Sequence, residues 1–115
     1  MKLNRYVTEM GMGVDVHGGD YTKAACRAVS DAIRHSSLNF FPHLPYTRDD
    51  MQITVKIGVQ KPDQVDVAEV ADVFPYGHIT VEPESGGLDV PAENGADLMV
   101  IANAVVLVCF PDQGE

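Results

Sequence analysis

The chain has 115 residues, 17 of them acidic and 8 basic, for a formal charge of -9. That balance repels a phosphate backbone, and with no Lys/Arg stripe interleaved with aromatics to offset it, nucleic acid is excluded as a partner. A hydrophobic fraction of 45% and a charged fraction of 22% suit one ordinary globular domain over residues 1–115, and no segment approaches the ~20 apolar residues that cross a bilayer, so no membrane partner is expected.

The amino terminus, Met1 to Tyr6, lacks the apolar run of a secretory signal and enters a strand pattern at once, so a cytoplasmic protein is expected. Leu3, Tyr6, Val7, Thr8 and Met10 predict a first strand that Gly11 and Gly13 bring to an end. The run from Gly11 to Lys23 then reads as a loop built to hold a guest. Its glycines let the backbone approach a ligand, and Gly18 and Gly19 precede a helix whose unpaired N–H groups attract oxygen atoms. The glycine spacing is neither that of a dinucleotide fingerprint nor that of a P-loop, so it names no cofactor.

Asp20 is the expected N-cap of a helix running to about His35, in which Ala25, Val29, Ala32 and Ile33 recur at three- and four-residue spacing. Asn39 to Asp50 holds Pro42 and Pro45 amid Phe40, Phe41, Leu44 and Tyr46, which predicts a connection pinned by aromatic anchors. Met51 to Val59 alternates strictly and predicts a second strand, with Lys56 on its polar face. Asp66-Val67-Ala68-Glu69 has the form of a capping box and opens a short helix that Pro75-Tyr76-Gly77 ends. His78 to Glu82 predicts a third strand and Pro83 to Ala96 a Gly/Pro-rich loop. Asp97 to Phe110 is apolar enough for a strand covered on both faces, and the tail from Pro111 is expected to fray. Cys26 and Cys109 form neither a close pair nor a metal-ligand spacing and are expected as buried thiols.

Strand, helix, strand, helix, strand, strand makes an α/β (α+β) domain with both helices on one face of its sheet. The apolar closing strand implies that the second face is partly buried, most simply by copies of the same chain, so a closed homo-oligomer, a trimer, is expected.

Four side chains of the glycine loop are candidate ligand-binding groups. Asp15 and His17, with Asp20 as a third donor, have the look of metal ligands, but the more economical reading is that His17 hydrogen-bonds Asp15 or Asp20 and fixes the loop, with no metal. Lys23 sits in a first helical turn, where the helix dipole disfavours a cation. It therefore implies a salt bridge to Asp20 or Glu9, or an anionic ligand.

Gly11-x-Gly13-x-Asp15-x-His17-Gly18-x-Asp20-x-Thr22-Lys23, with Lys56-Ile57-Gly58-Val59, Pro75-Tyr76-Gly77 and Gly86-Gly87-Leu88, resembles the Lin-type family of small bacterial proteins of unknown function over nearly the full length. The element order is similar to the chorismate-mutase-like and RidA-like fold, which implies a trimeric barrel with ligands in the clefts between subunits. More distantly, Lys56 and Ser85-Gly86-Gly87 resemble the Lys and Ser-Gly-Gly elements in one unit of the ring-opening amidohydrolase family of cyanuric acid hydrolase and barbiturase.

That resemblance implies Ser85 as nucleophile and Lys56 as its base, the lysine losing proton affinity if a subunit interface strips its hydration. The amides of Gly86 and Gly87 would then stabilise an oxyanion. Two functions are therefore expected: a small-molecule site at homotrimer interfaces that hydrolyses cyclic amide or imide compounds, or a non-catalytic metabolite-binding or accessory subunit.

Overall fold

A computed structural model describes residues 3–35 and 48–111. The aromatic connection around Phe40 to Tyr46, His43 with it, and the tail beyond Pro111 lie outside the described residues. The elements are β1 (Leu3–Asp15), α1 (Tyr21–Arg34), β2 (Gln52–Val59), α2 (Val67–Ala71), β3 (His78–Ser85), β4 (Leu88–Pro91) and β5 (Leu98–Pro111), with short 3-10 turns at Arg48–Asp50 and Pro62–Gln64.

The fold is α+β, with one mixed five-stranded sheet in the order β1-β5-β2-β3 and β4 paired to β5 beyond the end of β2. β1 and β2 both run antiparallel to β5, whereas β2 and β3 are parallel. Parallel neighbours need a crossover, and α2 supplies it. β5 is the spine of the sheet. Its length lets it pair with β1 along one edge and with β2 and then β4 along the other.

Alternation sorts the side chains. Met51 just before β2, Ile53, Val55, Ile57 and Val59 of β2, and Val100, Ala102, Ala104, Val106, Val108 and Phe110 of β5 are buried on one face, under Ala24, Ala25, Ala28, Val29 and Ala32 of α1. Each larger aliphatic side chain so buried contributes about 1.5–3 kcal/mol. Asp20 caps α1 as the sequence predicts, accepting from the Lys23 N–H at 3.0 Å, and Asp66 caps α2 through the Ala68 and Glu69 N–H groups. The Thr22 hydroxyl accepts the Asp66 N–H at 2.9 Å and so ties the entry of α2 to the first turn of α1.

Three expectations need correction. Gly11 and Gly13 do not end β1, which continues to Asp15; they face α1, where a Cβ on Gly13 would stand 2.8 Å from the Arg27 carbonyl carbon and nearer still to the Ala24 oxygen and Ala28 nitrogen. Their lack of a side chain lets the helix backbone rest on the strand, not a guest. The expected Pro83–Ala96 loop is largely strand, since β3 runs on to Ser85 and β4 follows. Cys26 and Cys109 are free thiols that are only partly buried.

The face of the sheet opposite the helices carries exposed apolar side chains on β1 and β4. Met10 and Met12 of β1 and Leu88 and Val90 of β4 are exposed there, Met12 by 56% and Leu88 by 59%. The register places them around Ile101, Val105 and Lys56. No helix among the described residues is long and apolar enough to cross a membrane.

Candidate functional site

The turn between β1 and α1 spends two of its three carboxylate and imidazole side chains on its own folding. Asp15 is 3% exposed. Its Oδ2 accepts the Asp20 N–H at 2.8 Å, while Oδ1 lies 3.6 Å from Arg27, whose Nη1 also donates to the Val14 carbonyl at 2.6 Å. Asp20 is occupied as the N-cap of α1. Lys23 is exposed and makes no ion pair among the described residues, so the salt bridge expected to Asp20 or Glu9 is not formed.

His17 takes neither expected partner. Its Nδ1 lies 2.8 Å from Oδ2 of Asp97, the residue just before β5, whose Oδ1 accepts the N–H groups of Gly18 and Leu98, each at 2.8 Å. The Gly18 N–H first, then His17 and the Leu98 N–H, hold the Asp97 carboxyl down at about 2, so it is ionised at neutral pH. The imidazole itself is 85% exposed. Gly18 and Gly19 are left-handed, at φ 96° and 62°, which turns the chain from β1 toward α1 while presenting the Gly18 N–H to Asp97. Asp97 escapes a local reading because it lies 80 positions from His17. The pairing of Asp15 with Val100 brings the two together.

A second pair lies just inside. The buried Tyr21 hydroxyl donates a short hydrogen bond to Oδ2 of Asp89 on β4, which faces the helix side beside Val100. Burial first, then Asp89, pushes the phenol up to about 12, so it stays a donor. Oδ1 of Asp89 is buried with no partner among the described residues. Tyr21→Phe therefore strips a desolvated carboxylate of its hydrogen bond. The variant should be about 2–3 kcal/mol less stable in urea unfolding, whereas equal midpoints would show that Asp89 is served by another group.

Open clefts flank the His17–Asp97 pair. One of about 490 Å³ is lined by Val16, His17, Val90, Asn94, Asp97 and Met99, and the other, about 540 Å³, reaches Gly19, Tyr21 and Lys61. Both volumes lie in the range of small-molecule sites, roughly 300–1,000 Å³. Among the described residues, no three His, Cys, Asp or Glu side chains converge as a metal site would need.

Lys56 and Ser85 are not brought together within one chain. Lys56 lies opposite Glu82 in the parallel register and Ser85 opposite Val59, so alternation puts them on opposite faces of the sheet. The Lys56 amine donates to Glu82 at 3.0 Å and lies 3.6 Å from Glu84. The hydrogen bond to Glu82, then the charges of Glu82 and Glu84, hold it above its ordinary value, the reverse of the lowered proton affinity a base needs. Gly86 and Gly87 are structural: the Gly86 N–H is spent on the Val59 carbonyl at 2.9 Å, and both glycine carbonyls accept from the Gln60 amide. An oxyanion would find the Gly86 amide already engaged.

A family model described as conserved hypothetical protein (Lin0512_fam) matches residues 5–108. Among solved structures, the chain is similar to an FtsZ-like protein of unknown function from Nostoc punctiforme PCC 73102, with 39% identity, a TM-score of 0.85, and coverage of 97% of this chain and 99% of that one. No curated protein matches it.

Proposed function

The chain belongs to the Lin0512 family of conserved hypothetical proteins, and from that premise and its geometry we propose that it assembles with copies of itself through the open face of its sheet and binds a small molecule in the clefts beside His17 and Asp97. The observation that carries this reading is the exposed apolar surface of Met10, Met12, Leu88 and Val90 on the face that neither helix covers. Contiguous apolar surface of this kind marks an interaction site. The elongated shape fits, since the radius of gyration is 15.7 Å where a compact domain of this length has about 13 Å.

Assembly by faces is favoured over extension along the β1 edge. Asp31 accepts the outward Met12 N–H at 3.0 Å and Arg27 occupies the outward Val14 carbonyl, so α1 side chains already cap that stretch of edge. Lys56, Glu82 and Glu84 sit on the same open face, where they serve as charged groups of the interface and set its register. Three copies around a barrel is the number the fold resemblance implies.

Sedimentation equilibrium at micromolar concentration tests the assembly. The wild-type chain should sediment at a multiple of 12.5 kDa, and Met12→Glu, which places a carboxylate on the apolar face, should reduce it to a folded monomer by circular dichroism. A wild-type monomer would end the proposal.

A further inference from the structure

Asp97 is fixed at both oxygens, by two backbone N–H groups on one and by the imidazole on the other. An ionised carboxylate only accepts, so the ring nitrogen that faces it, Nδ1, carries the proton of the neutral imidazole. The lone pair is then on Nε2. That atom has no protein partner among the described residues, and the ring is mostly in solvent. Asp15 and Asp20, the other carboxylates of the turn, are bound to the Asp20 amide and the Lys23 amide and do not compete for it.

The ring borders a cleft lined also by Val16, Val90, Met99, Asn94 and Asp97. The Asn94 Oδ1 is engaged by the Ala96 N–H at 2.9 Å. A guest there meets apolar surface on its body, with the His17 imidazole and the Asp97 carboxylate beside it. We propose that His17 and Asp97 form an acid–base dyad that binds a small compound with an apolar body and one weakly acidic O–H or N–H, and takes that proton on Nε2. In the transfer the ligand O–H bond breaks, its electron pair stays on the ligand oxygen, and the proton forms the Nε2–H bond. The resulting imidazolium has one N–H on Asp97 and the other on the ligand anion. No co-reactant is needed.

The dyad rests on the small-molecule half of the reading above and is independent of the assembly. The test uses the full chain and 4-nitrophenol, whose anion has its own absorption band. At neutral pH, where the free phenol and its anion coexist, addition of protein should raise the phenolate band saturably, and the His17 ring nitrogens, followed by 15N NMR, should move to the doubly protonated form. Before addition, the same spectrum should show the proton on Nδ1.

His17→Gln should abolish the band. Asp97→Asn keeps an oxygen for the Gly18 and Leu98 amides but turns an NH2 group toward His17. That should move the proton to Nε2, visible by NMR without ligand, and weaken the phenolate complex by at least about fivefold, the loss of an exposed ion pair alone. A wild-type proton on Nε2, or an Asp97→Asn variant with the wild-type tautomer, overturns the dyad. Saturable binding with no phenolate band overturns it too but leaves the cleft standing as a binding site. No saturable binding by a protein that sediments as an oligomer removes the site and spares the assembly.

Discussion

Gly13→Ala is expected to cost the folded chain about 3 kcal/mol or more, the upper end for overpacking a core and a large share of the stability of a small domain. The reason is that the atoms in the way are main chain. A Cβ at Gly13 would enter the space of the Ala24 carbonyl oxygen and the Ala28 nitrogen, and one at Gly11 would meet the Ala28 oxygen and the Ala32 nitrogen and Cα. A flexible side chain could swing aside, whereas a helix backbone must move as a body.

Lifting α1 off β1 would open the layer that buries Ala24, Ala28 and Val29 against Ala102 and Ala104. Small residues on both sides are thus one device, in which alanines on the helix and glycines on the strand permit a close approach that larger residues would prevent. Urea unfolding followed by circular dichroism measures the loss. Ser30→Ala, on the partly exposed face of the same helix, should stay within about 0.5 kcal/mol of wild type. A Gly13→Ala midpoint equal to wild type would show that helix and strand separate without cost.

This contact also explains what the sequence discloses and what it hides. β2 is legible because its alternation, Met51 to Val59, repeats at the period of a strand with one buried face. The starts of α1 and α2 are legible because Asp20 and Asp66 are local caps, acting on amides two or three residues away. Gly11 and Gly13 mislead for the opposite reason. Glycine weakens a strand locally, and what keeps these two in β1 is a helix whose contacting alanines come eleven or more positions later.

The site follows the same division. The turn from Asp15 to Asp20 stands out in the sequence as polar and glycine-rich, and it does lie at the mouth of a cleft. The partner of His17 is hidden because it depends on the β1–β5 register, and the partner of Tyr21 because it depends on β4 joining the same spine. Likewise, the polar face of β2 correctly carries Lys56, but its neighbours Glu82 and Glu84 come from a parallel pairing that no local pattern reveals. Periodicity reports the face a residue occupies, whereas chemistry depends on what stands across from it.

Gly87→Ala is expected to destabilise the chain by about 3 kcal/mol or more, and Ser85→Ala by less than about 0.5 kcal/mol. Gly87 is left-handed, at φ 62°, a conformation that an L-residue adopts at a cost of about 1–2 kcal/mol. Its Cβ would also stand 2.8 Å from the Gly58 carbonyl oxygen and nearer still to that of Ile101. Both oxygens belong to strands that the Gly86-Gly87 turn must pass between as the chain leaves β3 beside β2 and joins β5 as β4. Displacing them unseats β4, and with it the Asp89 carboxylate that holds Tyr21 and the Val90 wall of the His17 cleft. Ser85 is exposed at the end of β3 and has no such role. The two variants therefore show which residues of the Ser-Gly-Gly turn hold the fold. A fold weakened at Gly87 and indifferent at Ser85, with the His17 ring nitrogens of Ser85→Ala unchanged by 15N NMR, is the outcome the crossover predicts. A Gly87→Ala chain as stable as wild type would mean that β3 and β4 part freely at this turn.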